Sequence, residues 1–167
     1  MPFELVHFRD ADRIIKTKRM EKDIQATLEY INDCLYGTFH RGELLRQALE
    51  EMDWRRNLEE LVILPGRRYR FKGWKKAVAI EANFSAYEFI LEGLVRLQIA
   101  CDKKKIESGI LLLTNARGEK TPYGSTRKMV EEDIQNLAPT ISLPVSIALF
   151  DLGSPVIPQE NGEPGPE

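Results

Sequence analysis

Apolar and polar residues follow two different periods along the second half of the chain. Short apolar runs predict three strands, at Ala77–Phe84, Gly109–Thr114 and Pro144–Leu152. Apolar residues at three- and four-residue spacing between these runs predict two helices, at Ala86–Ala100 and Arg127–Leu137. The nearly all-apolar middle run is typical of a strand whose sheet is covered on both sides. Strands alternating with helices therefore predict an α/β domain with helices packed on a sheet.

The first half of the chain has a weaker pattern. A short β-like stretch at Pro2–Phe8 precedes a charged helical stretch at Asp10–Leu35. A further helix is predicted at Glu43–Trp54, because its apolar residues fall on one face. Leu61–Leu64 is a strand candidate that ends at a Pro-Gly pair.

The length and composition fit one soluble domain. With 167 residues, the chain is long enough to bury a core without disulfides or structural metal. No apolar run reaches the roughly 18 residues of a membrane span, and the first residues lack a secretion signal, so a cytoplasmic location is expected. Cys34 and Cys101 stand far apart without a His-rich neighbourhood, which indicates neither a disulfide framework nor a zinc site. Residues 154–167, rich in Pro, Gly and Glu, are predicted to form a disordered tail after a domain at residues 1–153.

Charge is unevenly distributed along the chain. The net charge of −2 gives no global basic field, which counts against a general nucleic-acid coat protein. The segment Gly66–Lys76, however, carries six cations, three aromatic residues and no acid. Cations mixed with aromatic residues suit a surface that contacts phosphates. The alternative is a basic hairpin at a solvated sheet edge, where lysines discourage aggregation.

Glu81 and Asn83 carry the candidate chemistry. They project from the same face of the strand predicted at Ala77–Phe84, near its C-terminal end. The Glu81 carboxylate can hold a hard divalent cation there, with the backbone carbonyl of Ala82 as a further ligand. Such an ion would polarise a phosphodiester and help to generate hydroxide from water. A strand glutamate is otherwise an exposed or locally paired residue, but the apolar flanks of this one favour a central strand.

Residues 77–84 resemble the strand of BglII-type restriction endonucleases, in the PD-(D/E)xK nuclease superfamily, where Glu-x-Gln replaces the usual Glu-x-Lys. The resemblance continues through the strand at residues 105–114, a small-residue loop at 123–125 and a Pro-Val closing strand at 143–149. It covers roughly residues 40–152 in order of elements. It implies a restriction-endonuclease-like mixed sheet flanked by helices. It also implies an endodeoxyribonuclease of type II restriction type that uses Mg²⁺ or Mn²⁺ and cuts duplex DNA as a homodimer.

The resemblance also implies roles for individual residues. Glu81 matches the metal-binding glutamate, and Asn83 takes the glutamine position with a side chain one methylene shorter. Ser85 and Tyr87 lie where the family begins its base-reading loop. The DNA contacts predicted from the basic run, this loop and the later polar loops are Arg70, Lys72, Lys75, Lys76, Ser85, Tyr87, Arg117, Ser125 and Arg127. For Ser125, the cap of the following helix is the favoured alternative.

One expected acid is missing. The family places a metal-binding aspartate some nine residues before the glutamate, where this chain has Lys72. Because Mg²⁺ affinity grows with the number of charged ligands, an active enzyme needs another acid, and Glu60 is expected to supply it, with its neighbour Glu59 as the alternative. Otherwise the protein is a catalytically degenerate nuclease-fold module that binds DNA or a partner. A third hypothesis is an interaction subunit that dimerises through the helix at Ala86–Ala100.

Overall fold

A mixed sheet of five strands runs through the protein in a computed structural model that describes residues 3–115 and 126–153. The strands in chain order are β1 (Phe3–Phe8), β2 (Gly73–Lys75), β3 (Val78–Asn83), β4 (Ser108–Thr114) and β5 (Val145–Phe150). Their spatial order is β1-β5-β4-β3-β2. β3, β4 and β5 are parallel, whereas the two outer strands are antiparallel to their neighbours. The predicted α/β mixed sheet is confirmed.

Helices cover both faces of this sheet. They are α1 (Ala11–Thr17), α2 (Glu21–Leu35), α3 (Arg41–Glu51), α4 (Ile90–Asp102) and α5 (Thr126–Asn136). The apolar stripes of α1, α2 and α3 pack on the face that carries Val78 and Ile80. The stripes of α4 and α5 pack on the opposite face, which carries Ala79. β3 therefore alternates between two cores, as its period-two pattern predicts.

Two glycines bring α4 close to the centre of the sheet. A Cβ atom on Gly93 of α4 would lie 2.5 Å from Cδ1 of Leu111 in β4. A Cβ atom on Gly109 of β4 would lie 2.8 Å from Cδ1 of Leu97 in α4. Since real Cβ atoms do not approach other carbons so closely, the glycines allow this packing distance. This close packing fixes the position of α4 relative to β4, and therefore also relative to β3, the neighbouring strand that carries Glu81.

The first half departs from its predicted elements in two places. The helical stretch predicted at Asp10–Leu35 is divided, because Arg19 adopts a left-handed backbone with φ of 59° between α1 and α2. The strand candidate at Leu61–Leu64 gives way to a 3-10 helix, Leu58–Leu61, followed by an isolated β-bridge. β3 therefore has β2 as its second neighbour, beside β4.

Three predictions fall outside the described residues: the tail at residues 154–167 and the DNA contacts Arg117 and Ser125. Within residues 3–115 and 126–153, no helix has the length and apolar character needed to cross a membrane. Cys34 and Cys101 are free and half-buried.

Candidate functional site

Glu81 is a buried acid on a strand inside the sheet. Its side chain is only 3% exposed, and it lies in register with Leu111 of β4. It shares a face of β3 with Ala79, so its carboxylate points to the side that α4 covers. Because a buried charge is costly without a partner, the neighbours of this carboxylate decide what the site can do.

Two cations contact the Glu81 carboxylate, one at each oxygen. Nε of Arg96, on α4, donates a hydrogen bond to Oε2 at 3.0 Å. Nη2 of the same guanidinium donates to the carbonyl oxygen of Arg70 at 2.6 Å. Nζ of Lys72, just before β2, lies 4.0 Å from Oε1. Arg96 therefore links β3, α4 and the segment that leads into β2.

Burial dominates the protonation behaviour of Glu81. It raises the pKa of this carboxyl group above its ordinary value of 4.5, while Lys72 and Arg96 lower it by favouring the charged form. The carboxylate of Glu92, on α4, adds a smaller upward effect on the same pKa. The charged form of the Glu81 carboxyl group is therefore stabilised by Lys72 and Arg96.

This arrangement does not fit a divalent metal ion. Mg²⁺ is held by several oxygen ligands that include carboxylates, whereas both oxygens of Glu81 face protein cations. Nowhere in the described residues do three or more His, Cys, Asp or Glu side chains form a group that could hold a metal. Glu60, half-buried in the 3-10 helix, therefore belongs to no such group. Ala82, the other predicted metal ligand, lies in register with Leu112 of β4.

Asn83 and Tyr87 have structural partners. Oδ1 of Asn83 accepts a hydrogen bond from the backbone N–H of Ser85 at 2.8 Å, which stabilises the turn after β3. The amide NH₂ of Asn83 then remains as the donor that the turn does not use. The hydroxyl of Tyr87 donates to Asp133 of α5 at 2.7 Å, and burial raises its pKa. Tyr87 therefore joins the turn to α5.

The predicted cationic contacts separate in space. Arg70 and Lys72 lie near Glu81, whereas exposed Lys76 sits in the hairpin turn at the opposite end of β3. Nζ of Lys75 is held by Asp23 at 2.7 Å and by the carbonyl of Met52 at 3.0 Å. That ammonium group is engaged within the fold.

Arg127 lies at the other lateral side of the sheet. It pairs with Glu4 of β1 at 2.9 Å and with Glu131 at 3.3 Å. β1 is the edge strand furthest from β2 in the sheet, so Arg127 is separated from Glu81 by the width of the parallel strands. The structure therefore brings Lys72, Asn83 and Ser85 together, but not Lys75, Tyr87 or Arg127.

These three residues, together with the predicted residue Ala82, line one cleft of about 400 Å³ at the C-terminal end of β3. Phe39, in the loop before α3, and Arg41, the first residue of α3, form another part of its wall. Sequence reasoning missed both of these residues and also Arg96. A signal for Arg96 was available, because a cation stands between Gly93 and Leu97 in the apolar stripe of its helix.

Two crystal structures are similar to this fold. The restriction endonuclease BglII complexed with a DNA 16-mer has a TM-score of 0.63 and 14% identity, with 90% of this chain and 77% of that chain covered. Free BglII has a TM-score of 0.57 and 17% identity, with 90% and 79% covered. No family model matches the chain, and no curated protein matches it. The chain therefore has the fold of the BglII-type restriction endonucleases, as its sequence predicted.

Arg96→Met should destabilise the folded protein at neutral pH by on the order of 3 kcal/mol, because it leaves a buried carboxylate short of its main partner. The pKa of Glu81 is already raised, and loss of Arg96 should raise it further. The folded variant then binds a proton more readily than the unfolded chain. Its stability should therefore fall as pH rises from 4.5 through the raised pKa. Urea unfolding between about pH 5 and pH 8 measures this.

The control is the double variant Glu81→Gln/Arg96→Met. It removes the titrating group, so the additional pH dependence should disappear. Identical unfolding curves for wild type and Arg96→Met at every pH would show that the ion pair has no such role.

Proposed function

We propose that the protein is a DNA-binding protein of the restriction endonuclease fold in which Arg96 and Lys72 occupy the place of a catalytic metal ion. The observation that carries this proposal is the pairing of both Glu81 oxygens with protein cations. DNA is favoured as the ligand because a structure of the same fold was solved with DNA. The exposed basic segment before β2 supplies charges that suit phosphates.

The second candidate is a metal-dependent endodeoxyribonuclease. The position of Glu81, inside the sheet on the strand where the resemblance places the metal-binding glutamate, favours it. A divalent ion at this carboxylate would have to displace Arg96, and Lys72 would repel it. One carboxylate offers too little negative charge to offset both effects. The geometry therefore favours the degenerate binding module.

Phosphate contacts are best placed on the segment before β2. Arg67, Arg68 and Arg70 are exposed, and the Lys72 side chain is 44% exposed beside them. The hydrogen bond from Arg96 fixes the backbone carbonyl of Arg70, whereas the side chain of Arg70 stays exposed to solvent. A fixed backbone that presents several exposed cations suits contacts to phosphates, which position a protein on nucleic acid.

The metal prediction is direct. Wild-type protein should show no Mn²⁺ binding that depends on Glu81, so calorimetric titrations of wild type and Glu81→Gln should coincide. Neither should cut plasmid DNA of mixed sequence with Mg²⁺ or Mn²⁺. Metal-dependent cutting that is lost in Glu81→Gln would establish the enzyme instead.

The DNA prediction concerns salt dependence. Arg70→Ala and Lys72→Ala should each weaken binding to any duplex and flatten the slope of log affinity against log salt by about 0.9. Lys103→Ala is the matched control, because this exposed lysine follows α4 at the opposite end of the sheet. Fluorescence anisotropy at several salt concentrations gives the slopes. Equal slopes for all four proteins would remove this surface from the DNA interface.

We also infer that a second copy of the chain packs on α4. Leu91 and Val95 are 51% and 45% exposed, and with half-exposed Tyr69 they line a groove of about 720 Å³. An exposed apolar patch of this kind marks an interaction surface. The two α4 residues are four apart, so antiparallel pairing of α4 with its copy about a two-fold axis sets Leu91 opposite Val95.

Leu91→Glu should convert the dimer to a monomer, because it places a charge in the contact. Leu58→Glu is the control, since Leu58 is exposed and lies outside the groove. Sedimentation velocity measures both. A wild-type protein that sediments as a monomer at about 100 µM would exclude the homodimer, because stable dimers associate far more tightly.

A further inference from the structure

The cleft at the end of β3 offers an exposed aromatic ring above a rigid floor. Phe39 is 50% exposed and forms part of the cleft wall. Phe84 lines the cleft too, but its ring packs edge-on against Phe150 of β5 with centroids 5.8 Å apart. The floor is therefore anchored in the core, while about half of the Phe39 surface remains exposed.

Cationic and polar groups surround this ring. Nη2 of Arg41 donates to the carbonyl oxygens of Leu152 and Gly153 at 3.1 and 2.8 Å, so its guanidinium is fixed in the cleft wall. Lys72 adds an ammonium group. Asn83 contributes an amide NH₂, because its Oδ1 is used by the turn. The cleft thus combines a fixed guanidinium, an ammonium group, a hydrogen-bond donor and an aromatic ring.

This combination matches a nucleotide whose base is not paired. Aromatic side chains stack on bases, cations contact the phosphate, and the stacking tolerates any base because each has a π face. Bases inside a duplex already stack on their neighbours, so an unpaired base is the one that is free to stack on Phe39. A volume of about 400 Å³ lies within the range of ligand sites. Phosphate contacts alone would leave exposed Phe39 without a role.

We propose that this cleft binds an unpaired nucleotide of DNA, with the base stacked on Phe39 and the phosphate beside Lys72. The inference rests on the proposed DNA-binding function and names the form of DNA that the protein prefers. The protein should therefore prefer junctions, overhangs or bulges, in which a duplex carries a nucleotide that is not stacked within it.

Fluorescence anisotropy with three labelled probes tests this: a blunt duplex, the same duplex with a single-stranded overhang, and the single strand alone. Wild-type protein should prefer the overhang duplex over the blunt one by at least about fivefold, since one stacked base contributes on the order of 1 kcal/mol or more. Phe39→Ala should abolish the preference and leave affinity for the blunt duplex unchanged. Phe39→Trp should retain the preference.

Two matched pairs of variants control for misfolding. A Cβ on Gly42, in the cleft wall, would meet no atom within 4 Å, so Gly42→Leu should fill the cleft without disturbing the core. It should abolish the overhang preference, whereas Gly42→Ala should keep it. Phe89→Ala removes another exposed phenylalanine, one outside the cleft, and should behave as wild type.

The outcomes separate the two proposals. Equal affinity for blunt and overhang duplexes, or a preference that survives Phe39→Ala and Gly42→Leu, would overturn the cleft assignment and leave duplex binding intact. Single-strand binding that depends on Phe39, without duplex binding, would support the cleft and overturn the duplex interface. No binding of any probe would overturn both.

Discussion

The ion pair between Arg96 and Glu81 holds the site together. It joins the strand inside the sheet, the helix that follows it and the segment before the edge hairpin, because one guanidinium bonds both a carboxylate and the Arg70 carbonyl. A buried carboxylate requires such a partner. The close packing of Gly93 against Leu111 sets the distance at which α4 can deliver it. Packing and charge therefore fix the same helix.

Lys72 carries a charge opposite to that of the metal-binding aspartate that the resemblance implies at this position. Lys72 directly precedes Gly73, which pairs with Ile80, so its side chain lies alongside Glu81 in the hairpin. Two acids in these places would repel each other until a cation bridged them. A lysine and a glutamate attract each other without any ion. In the proposed function, Lys72 and Arg96 therefore neutralise the charge of Glu81 that a metal ion would otherwise neutralise.

The sequence predicted the elements whose pattern is local and the position of Glu81. β3, β4 and β5, with the helices between them, have clear periods, and the order of elements suggested the fold. The sequence did not predict contacts between distant segments, such as the contact of Lys75 with Asp23. A basic run does not show which of its lysines forms an ion pair within the fold. Arg96 was missed because helical spacing alone does not show that a cation on α4 faces a buried acid on the sheet.

The direction of the parallel strands has a practical consequence. Phe3 lies in register with Phe150, and the carbonyl oxygen of Gly153 accepts a hydrogen bond from Arg41, which lines the cleft. Residues 3 and 153 therefore lie at the end of the sheet where β3 ends. A fusion partner joined directly before Phe3 or directly after Gly153 would crowd that end of the sheet. The turn at Lys76, at the other end of β3, is the place to attach a dye or a surface anchor that leaves the cleft open to solvent.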